Sequence, residues 1–164
     1  MAILVNQGMR GIASDKMKIR KATIDDFEEL YALGKRTPEL RVSATEGFMD
    51  ADEFKWSIKN PDGIFLLAED RGKVIGFVYA NAKDKDRAFE NRYACLVYLT
   101  VDSNFRRKKI GERLYLECEK QLKKLGITNI YGWATLESKG GILRFMEKQG
   151  YAEGHKYVWV DKKL

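Results

Sequence analysis

The residues best suited to chemistry form one basic stretch in the second half of the chain. Arg106, Arg107, Lys108 and Lys109 follow an apolar segment, and Gly111 comes just after them, where an amphipathic pattern begins. The first amides of a helix have no acceptor within the helix, and the helix dipole adds about half a positive charge there. Such a helix start binds anions, and a glycine lets the backbone approach the ligand because it has no Cβ. The stretch therefore predicts a site for a pyrophosphate group.

Two elements must hold this basic stretch in place. Residues 93–101 form a largely apolar run, which predicts a strand buried on both faces at the centre of a sheet. From Ile110 to Leu125 apolar residues recur at helical spacing, and Gly126 follows as a suitable left-handed cap. The sequence therefore predicts a buried strand, a short basic loop and an amphipathic helix in direct succession.

The rest of the sequence predicts the other elements of a layered fold. Thr23 to Asp26 resemble a capping box, and Phe27, Leu30 and Tyr31 mark one face of the helix that follows. The order of elements suits a mixed sheet covered by helices on both faces. In sequence they are a strand at 17–22, the helix after Asp26, a helix at 50–59, strands at 64–68 and 74–79 around a turn at 69–72, the strand and helix described above, a strand at 129–135, a helix at 142–148 and a terminal strand at 157–161.

Length and composition favour one soluble domain. A chain of 164 residues has the size of a single domain, which we assign to residues 17–164, with residues 1–16 interpreted as a flexible leader or an over-called start. No run approaches the roughly 18 apolar residues needed to cross a bilayer, so we expect a cytoplasmic protein without membrane contact. Cys95 and Cys118 lack the paired spacing of a metal or disulfide framework, and no metal site is expected.

The charge pattern argues against a nucleic-acid partner. The formal net charge is +6, but lysine and arginine are scattered along the chain among 24 acidic residues. A solvated surface of mixed charge explains this pattern better than a nucleic-acid interface does. Nucleic-acid binding through residues 106–109 stays an alternative, and it predicts a steep dependence of affinity on salt concentration.

The basic stretch resembles the acetyl-CoA loop of the GNAT superfamily of N-acetyltransferases, which is written Gln/Arg-x-x-Gly-x-Gly/Ala. Arg106 and Gly111 occupy the ends of that motif, whereas Lys109 stands where the middle glycine usually lies. The hairpin at 67–77 looks like another feature of the family. The stretch at 142–151, which ends in Glu-Lys-Gln-Gly-Tyr, looks like its closing motif.

This resemblance, which extends over roughly residues 17–162, implies a fold and a ligand. The fold is α/β (α+β), with a mixed, mostly antiparallel central sheet of about six to seven strands and helices on both faces. Its fourth strand is bulged and splays from the fifth, and the pantetheine arm of acetyl-CoA inserts between them. Acetyl-CoA would serve as the acyl donor, without a metal, and would contact Leu99, Thr100, Val101, Arg106, Arg107, Lys108, Lys109, Ile110, Gly111, Lys139 and Arg144.

The resemblance also implies transfer of an acetyl group to a primary amine by direct attack in a ternary complex. Side chains that commonly assist in the family are replaced here. Cys95 stands in place of a glutamate base, Met146 in place of a tyrosine acid and Lys139 in place of an asparagine. Attack by an amine that loses its proton through water is compatible with these changes, because positioning alone supplies much of a bimolecular barrier.

Other titratable side chains are candidates to replace the missing general acid and general base. Tyr98, Glu137 and Tyr151 are the candidate catalytic residues, although each also suits a packing or surface role. Cys95 as an acyl-carrying nucleophile is a weaker candidate, because buried cysteines are usually inert. The remaining candidates, also weaker, are Tyr93, Glu90, Tyr157 and His155.

The acceptor amine stays open among a small molecule, a polyamine and a protein amine. In the family it binds between variable segments, which correspond here to residues 36–59, 83–92 and 154–156. Acidic residues of the first segment either attract a polycation or form a solvated helix face; they are Glu39, Glu46, Asp50, Asp52 and Glu53.

An alternative of another class is a catalytically degenerate, acyl-CoA-binding regulatory module. Lys109, Met146 and the missing glutamate suggest it, and it predicts binding without turnover. A homodimer is also compatible with the sequence, because the terminal strand would offer an edge for pairing between copies.

Overall fold

Five strands form the central sheet of the computed structural model, which describes residues 17–43, 47–136, 140–158, 160 and 162. The strands are β1 (Met17–Lys21), β2 (Gly63–Asp70), β3 (Lys73–Asn81), β4 (Tyr93–Val101) and β5 (Asn129–Gly132). The helices are α1 (Phe27–Lys35), α2 (Ala51–Lys59), α3 (Ile110–Lys124) and α4 (Gly141–Lys148). The strands lie side by side in chain order; the first four are antiparallel, and β5 runs parallel to β4.

The helices cover both faces of this sheet. On one face α1 and α2 enclose an aromatic core, in which the rings of Phe54, Phe65 and Phe77 are fully buried against one another. On the other face α3 buries Leu114 and Leu122. Each such side chain contributes about 1.5–3 kcal/mol of hydrophobic stabilisation. The predicted mixed, mostly antiparallel sheet with helices on both faces is confirmed.

Within the described residues the sheet has fewer strands than the six to seven expected. Tyr157 and Val158, which begin the expected terminal strand, lie outside any strand and are exposed. Their apolar, β-branched and aromatic character favours an extended chain, but a strand also needs packing and a neighbouring edge. β5 ends at Gly132, earlier than expected, because its pairing with β4 stops at Leu96.

Two local expectations about the strands were wrong. β4 is not buried on both faces, since Tyr93 and Val97 are 42% and 36% exposed. The aromatic core under α1 and α2 reaches no farther along β4 than Tyr98, which leaves the first half of that face open. The turn between β2 and β3 is narrower than expected, because only Arg71 and Gly72 separate the strands, with φ of 51° and 77° as a type I′ turn requires.

Polar contacts fix the start of the first helix, as the sequence predicts. The Thr23 amide donates to Asp26 Oδ2 at 2.8 Å in a capping box, and one 3-10 turn precedes α1. Arg20 adds two ion pairs, from Nη2 to Asp26 Oδ1 at 2.7 Å and from Nε to Glu69 Oε2 at 2.9 Å. The hydrogen bond from Arg20 outweighs the effect of burial and lowers the pKa of Asp26 to about 2.

Acid is expected to destabilise the fold through Asp26. Its folded-state pKa of about 2 lies below the unfolded value of about 3.9. The ionised carboxylate therefore stabilises the fold above about pH 4, and this contribution is lost as the pH falls towards about 2. Urea unfolding across this range should show a steeper loss of unfolding free energy for the wild type and for the exposed control Asp25→Asn than for Asp26→Asn. Equal slopes for all three proteins would contradict the assignment.

Candidate functional site

β4 and β5 part halfway along β4. Their parallel pairing ends at Leu96 and Gly132. A Cβ on residue 132 would lie 2.9 Å from the Leu96 carbonyl oxygen, so only glycine allows this close approach. From Val97 to Val101, the edge of β4 that faces away from β3 has no strand partner within the described residues. Unpaired backbone groups of this kind bind an extended ligand in the manner of an added strand.

A β-bulge lies where the two strands part. Tyr79 of β3 pairs with Tyr98 and Ala80 pairs with Leu96, so Val97 is the extra residue on β4. The bulge shifts the alternation of β4: odd-numbered residues after it face the α3 side, whereas even-numbered residues face that side before it. The structure thus contains the bulged and splayed fourth strand that the resemblance implies.

The parting strands open into a cleft of about 700 Å³. α4 and the start of α3 form its other walls, and the segment after α1 contributes to one side. Lys108 and Arg144 are not among the lining residues; the Lys108 ammonium lies 5.2 Å from the centroid of the Phe105 ring. The predicted cofactor-binding residues that do line it are Leu99, Thr100, Val101, Arg106, Arg107, Lys109, Ile110 and Gly111.

The structure adds cleft residues that the sequence analysis did not assign to the cofactor. Ile142 and Phe145 belong to α4, and their helical spacing is a signal that could have found them. Thr37 and Glu39 come from the segment after α1. Glu39 contacts a residue 67 positions away, and such a contact leaves no local pattern in a sequence. The lining is completed by Phe105, Glu112, Thr135, Gly141, Lys148 and Gln149.

Two residues of the loop between β4 and α3 have a left-handed backbone. Arg107 has a φ of 63° and Lys109 a φ of 59°. Lys109 is the N-cap residue of α3 and stands at the middle glycine position of the motif. A residue with a Cβ is disfavoured in this conformation by roughly 1–2 kcal/mol. The loop therefore has a glycine-like backbone at position 109 although a lysine stands there.

Gly111, the second residue of α3, is not required by packing. A Cβ there would meet Val101 Cγ2 at 3.6 Å, an ordinary van der Waals distance, and no closer atom of the described residues beyond its chain neighbours and its own helix backbone. The residue lines the cleft. Its missing side chain leaves the unpaired amides at the start of α3 open to the cleft, which is the arrangement that binds an anion.

Two ion pairs connect the loop to the segment after α1. Arg36 Nη2 lies 2.9 Å from Asp102 Oδ2, and Arg106 Nη1 lies 2.9 Å from Glu39 Oε1. Burial opposes ionisation of Asp102, but hydrogen bonds from Arg36 and from the Asn104 amide outweigh it and lower the pKa. The hydrogen bond from Arg106 likewise lowers the pKa of Glu39. Both carboxylates are therefore ionised at neutral pH.

Neither Tyr98 nor Tyr151 lines the cleft. The Tyr98 hydroxyl is buried in the aromatic core and donates to Met49 Sδ at 3.1 Å, and burial raises its pKa. The Tyr151 hydroxyl accepts from Tyr115 Oη at 3.2 Å, and burial raises the pKa of Tyr151 to about 12. Both hydroxyls are protonated at neutral pH, so they are suited to donate a proton and not to accept one. Their catalytic roles stay predictions.

Near the parting point lie two pairs of exposed aromatic rings, Tyr93 with Tyr131 and Trp133 with Tyr157, which we call together the open aromatic face. The rings of Tyr93 and Tyr131 lie 6.4 Å apart, those of Trp133 and Tyr157 lie 6.0 Å apart, and Trp133 is 73% exposed. Cys95 pairs with Tyr131 across the two strands. Burial raises the pKa of its thiol, which makes Cys95 a poor nucleophile.

Some predictions fall on residues outside the described ranges. They concern residues 1–16, Glu46, Glu137, Lys139, Trp159 and Asp161. In the part of the chain that the structure does describe, no helix combines the length and the apolar character needed to cross a membrane. The same part contains no cluster of three or more His, Cys, Asp or Glu side chains arranged to hold a metal ion.

Comparison with known sequences gives two findings. The profile described as "Acetyltransferase (GNAT) family" matches residues 24–151, which contain the parting strands, the basic loop and both α3 and α4. An uncharacterised N-acetyltransferase of Methanocaldococcus jannaschii is 28% identical over 135 residues, which are 82% of this chain and 59% of that protein. The chain thus spans little more than half of the length of this relative.

Solved structures with a similar fold include an aminoglycoside acetyltransferase and AAC(6')-Iy. An aminoglycoside acetyltransferase from an uncultured soil metagenomic sample, in complex with trehalose, has a TM-score of 0.70 and 16% identity, over 92% of this chain and 98% of that one. AAC(6')-Iy, in complex with the bisubstrate analogue CoA-S-monomethyl-acetylneamine, has a TM-score of 0.67 and 16% identity, over 90% and 99% of the two chains. At these identities the likeness concerns the fold.

Proposed function

The chain belongs to the GNAT family of acetyltransferases, and on that premise we propose that it transfers an acetyl group from acetyl-CoA to a primary amine. One observation carries the proposal: the open edge of β4 from Val97 to Val101 leads directly into the basic loop and the start of α3. An extended arm and a pyrophosphate need these two features in this order. A fold neighbour, AAC(6')-Iy, is bound to a bisubstrate analogue of CoA, which supports the same ligand class here.

In the proposed complex the pantetheine arm lies along the open edge of β4 and the pyrophosphate lies on the amides between Arg106 and Gly111. The helix dipole of α3 and the cations Arg107 and Lys109 favour the anion. Ile142 and Phe145 of α4 supply an apolar wall on the opposite side of the cleft. The acetyl carbonyl would then lie near the bulge, where a free β4 amide can stabilise the developing oxyanion.

The proposed reaction is a direct attack of the acceptor amine on the thioester carbonyl. The new C–N bond forms, the C–S bond breaks, and the CoA thiolate leaves. The amine must give up its proton, and the described cleft residues include no histidine or cysteine, the side chains whose ordinary pKa lies nearest neutrality. We therefore assign proton removal to water, and most of the catalysis to positioning and to the oxyanion contact.

We place the acceptor on the open aromatic face. Aromatic ring faces attract ammonium groups, and the carboxylate of Asp84 acts on one ring of this face. The pKa of Tyr131 is raised first by Cys95, and also by burial and by the negative charge of Asp84. Rings and negative charge together suit a cationic amine, such as a polyamine or an amino sugar, better than a neutral or acidic acceptor.

A thiol-release assay tests this proposal. The protein and acetyl-CoA are incubated with one amine in each reaction, and the free CoA thiol is measured. The amines are spermidine, an aminoglycoside and a peptide with a free N-terminus. We expect release with a cationic amine, and we expect Trp133→Ala to lower kcat/KM for that amine about tenfold with the KM for acetyl-CoA unchanged. Trp56→Ala, a similarly exposed tryptophan on α2, is the matched control. Binding of acetyl-CoA without release to any amine would favour the regulatory module instead.

A further inference from the structure

The segment after α1 and the cofactor loop are joined by two crossed ion pairs. Arg36 of the first segment pairs with Asp102 of the second, and Arg106 of the second pairs with Glu39 of the first. A hydrogen bond from Thr100 Oγ1 to Thr37 Oγ1 at 3.4 Å also connects the segment after α1 to β4. Two pieces of chain that are distant in sequence are therefore held together along one side of the cleft.

The carboxylates of the two ion pairs differ in their access to solvent and to ligands. The Asp102 side chain is 6% exposed, and its carboxylate also accepts the Asn104 amide at 3.0 Å. The side chains of Glu39 and Arg106 are 24% and 44% exposed, and both residues line the cleft. A ligand in the cleft therefore reaches the pair of Arg106 and Glu39, whereas Asp102 stays enclosed.

The guanidinium of Arg106 is already occupied. Its Nη1 and Nη2 donate to the two oxygens of Glu39 at 2.9 and 3.2 Å, and its Nε donates to the Val101 carbonyl at 3.2 Å. The paired Nη donors form the planar fork that binds carboxylate and phosphate in the same bidentate geometry. A phosphate that takes this fork must displace the carboxylate.

We propose that Glu39 is an internal anion that competes with the phosphates of the cofactor for Arg106. The inference rests on the proposed function, because it takes the phosphate-bearing acyl donor as the ligand of the loop. When the cofactor binds, Glu39 is released, and with it the 3-10 turn Pro38–Leu40, while the ion pair between Arg36 and the enclosed Asp102 keeps the segment attached. Glu39 thereby lowers the affinity for the cofactor. It also couples cofactor binding to a movement of the turn Pro38–Leu40 beside the cleft.

Calorimetric titration of Glu39→Gln tests the competition. Glutamine keeps the size of the side chain and removes the charge. A phosphate should therefore displace it from the Nη donors of Arg106 more easily than it displaces the carboxylate. Loss of a partly exposed, bidentate ion pair of about 1 kcal/mol corresponds to about fivefold tighter binding of CoA. Pantetheine, which has the arm without phosphates, should bind both proteins equally within about twofold. Glu28→Gln, an exposed glutamate on α1, is the matched control and should bind CoA as the wild type does.

A second variant separates competition from a merely structural role. The variant Arg106→Gln lacks the guanidinium for which Glu39 and the phosphates compete. Adding Glu39→Gln to it should therefore leave its affinity for CoA unchanged. Unchanged or weaker CoA binding by the single variant Glu39→Gln, with a wild type that does bind CoA, would overturn this inference and leave the proposed function standing. A wild type that binds no CoA would overturn both.

Discussion

Replacement of Gly111 by glutamate is expected to weaken acetyl-CoA binding by at least about a hundredfold and to leave the fold intact. The fold tolerates a side chain because the nearest described atom beyond its chain neighbours and its own helix backbone, Val101 Cγ2, lies 3.6 Å from the position of a Cβ. The carboxylate would face the bound phosphates. Two unit charges about 5 Å apart repel by about 3 kcal/mol near a protein surface, which corresponds to more than a hundredfold in affinity. Calorimetric titration with acetyl-CoA measures the loss.

Gly111→Gln is the matched control for the charge. It adds nearly the same volume without the carboxylate, so we expect an affinity between those of the wild type and Gly111→Glu. Thermal unfolding and circular dichroism of both variants check that the fold is kept. Wild-type affinity in a folded Gly111→Glu protein would mean that the phosphates do not lie at the start of α3.

The kcat/KM for the acceptor amine is expected to rise steeply with pH. If water removes the proton from the acceptor and no enzyme base does so, the reactive species is the neutral amine. The value of kcat/KM for an alkylamine with a pKa near 10.4 should then rise about tenfold per pH unit between about pH 6.5 and 8.5, or about a hundredfold in total. Thiol release at low, varied amine concentration and saturating acetyl-CoA measures this profile.

An enzyme base would give a different profile. The ammonium form would bind, and kcat/KM would level off above the pKa of that base. A plateau beginning below about pH 7.5 would contradict proton removal by water and would direct attention to Glu137, which lies outside the described residues. In that case Glu137→Gln should remove the plateau, whereas Glu28→Gln, at an exposed position on α1, should not.

The elements around the cofactor loop could be predicted because their signals are local. The helical spacing from Ile110 onward, the capping box at Thr23 and the glycine caps each depend on residues a few positions apart. The same holds for the hairpin, whose two strands are separated by a short turn. The basic loop was recognised for the same reason, since strand, loop and helix follow one another without interruption.

The shape of the cleft depends on contacts that leave no local pattern. The bulge at Val97 is visible only in the register of β4 against β3, and the parting of β4 from β5 only in the parallel register. The pairing of Arg106 with Glu39 joins residues 67 positions apart. The expected terminal strand was wrong at Tyr157 and Val158, which have the composition of a strand, because strand formation depends on neighbours that composition does not specify.

The departure of Lys109 from the family motif shows how backbone conformation can be kept without its usual residue. The φ of 59° at Lys109 lies in the left-handed region that glycine adopts most easily, and the lysine adopts it at a cost in conformational free energy. From the sequence alone the lysine counts as a weakness of the cofactor loop. In the structure the residue lines the cleft, where its side chain adds a positive charge beside the start of α3.

Both the proposed reaction and the role of Glu39 require that the open edge of β4 and the basic loop together bind acetyl-CoA. Calorimetric titration of the unmodified protein with acetyl-CoA tests it most directly, with acetyl-pantetheine titrated in parallel. We expect one site of micromolar affinity for acetyl-CoA and binding of acetyl-pantetheine at least about tenfold weaker, because the latter lacks the phosphates that the loop holds. Absence of acetyl-CoA binding, or equal affinity for the two ligands, would contradict it.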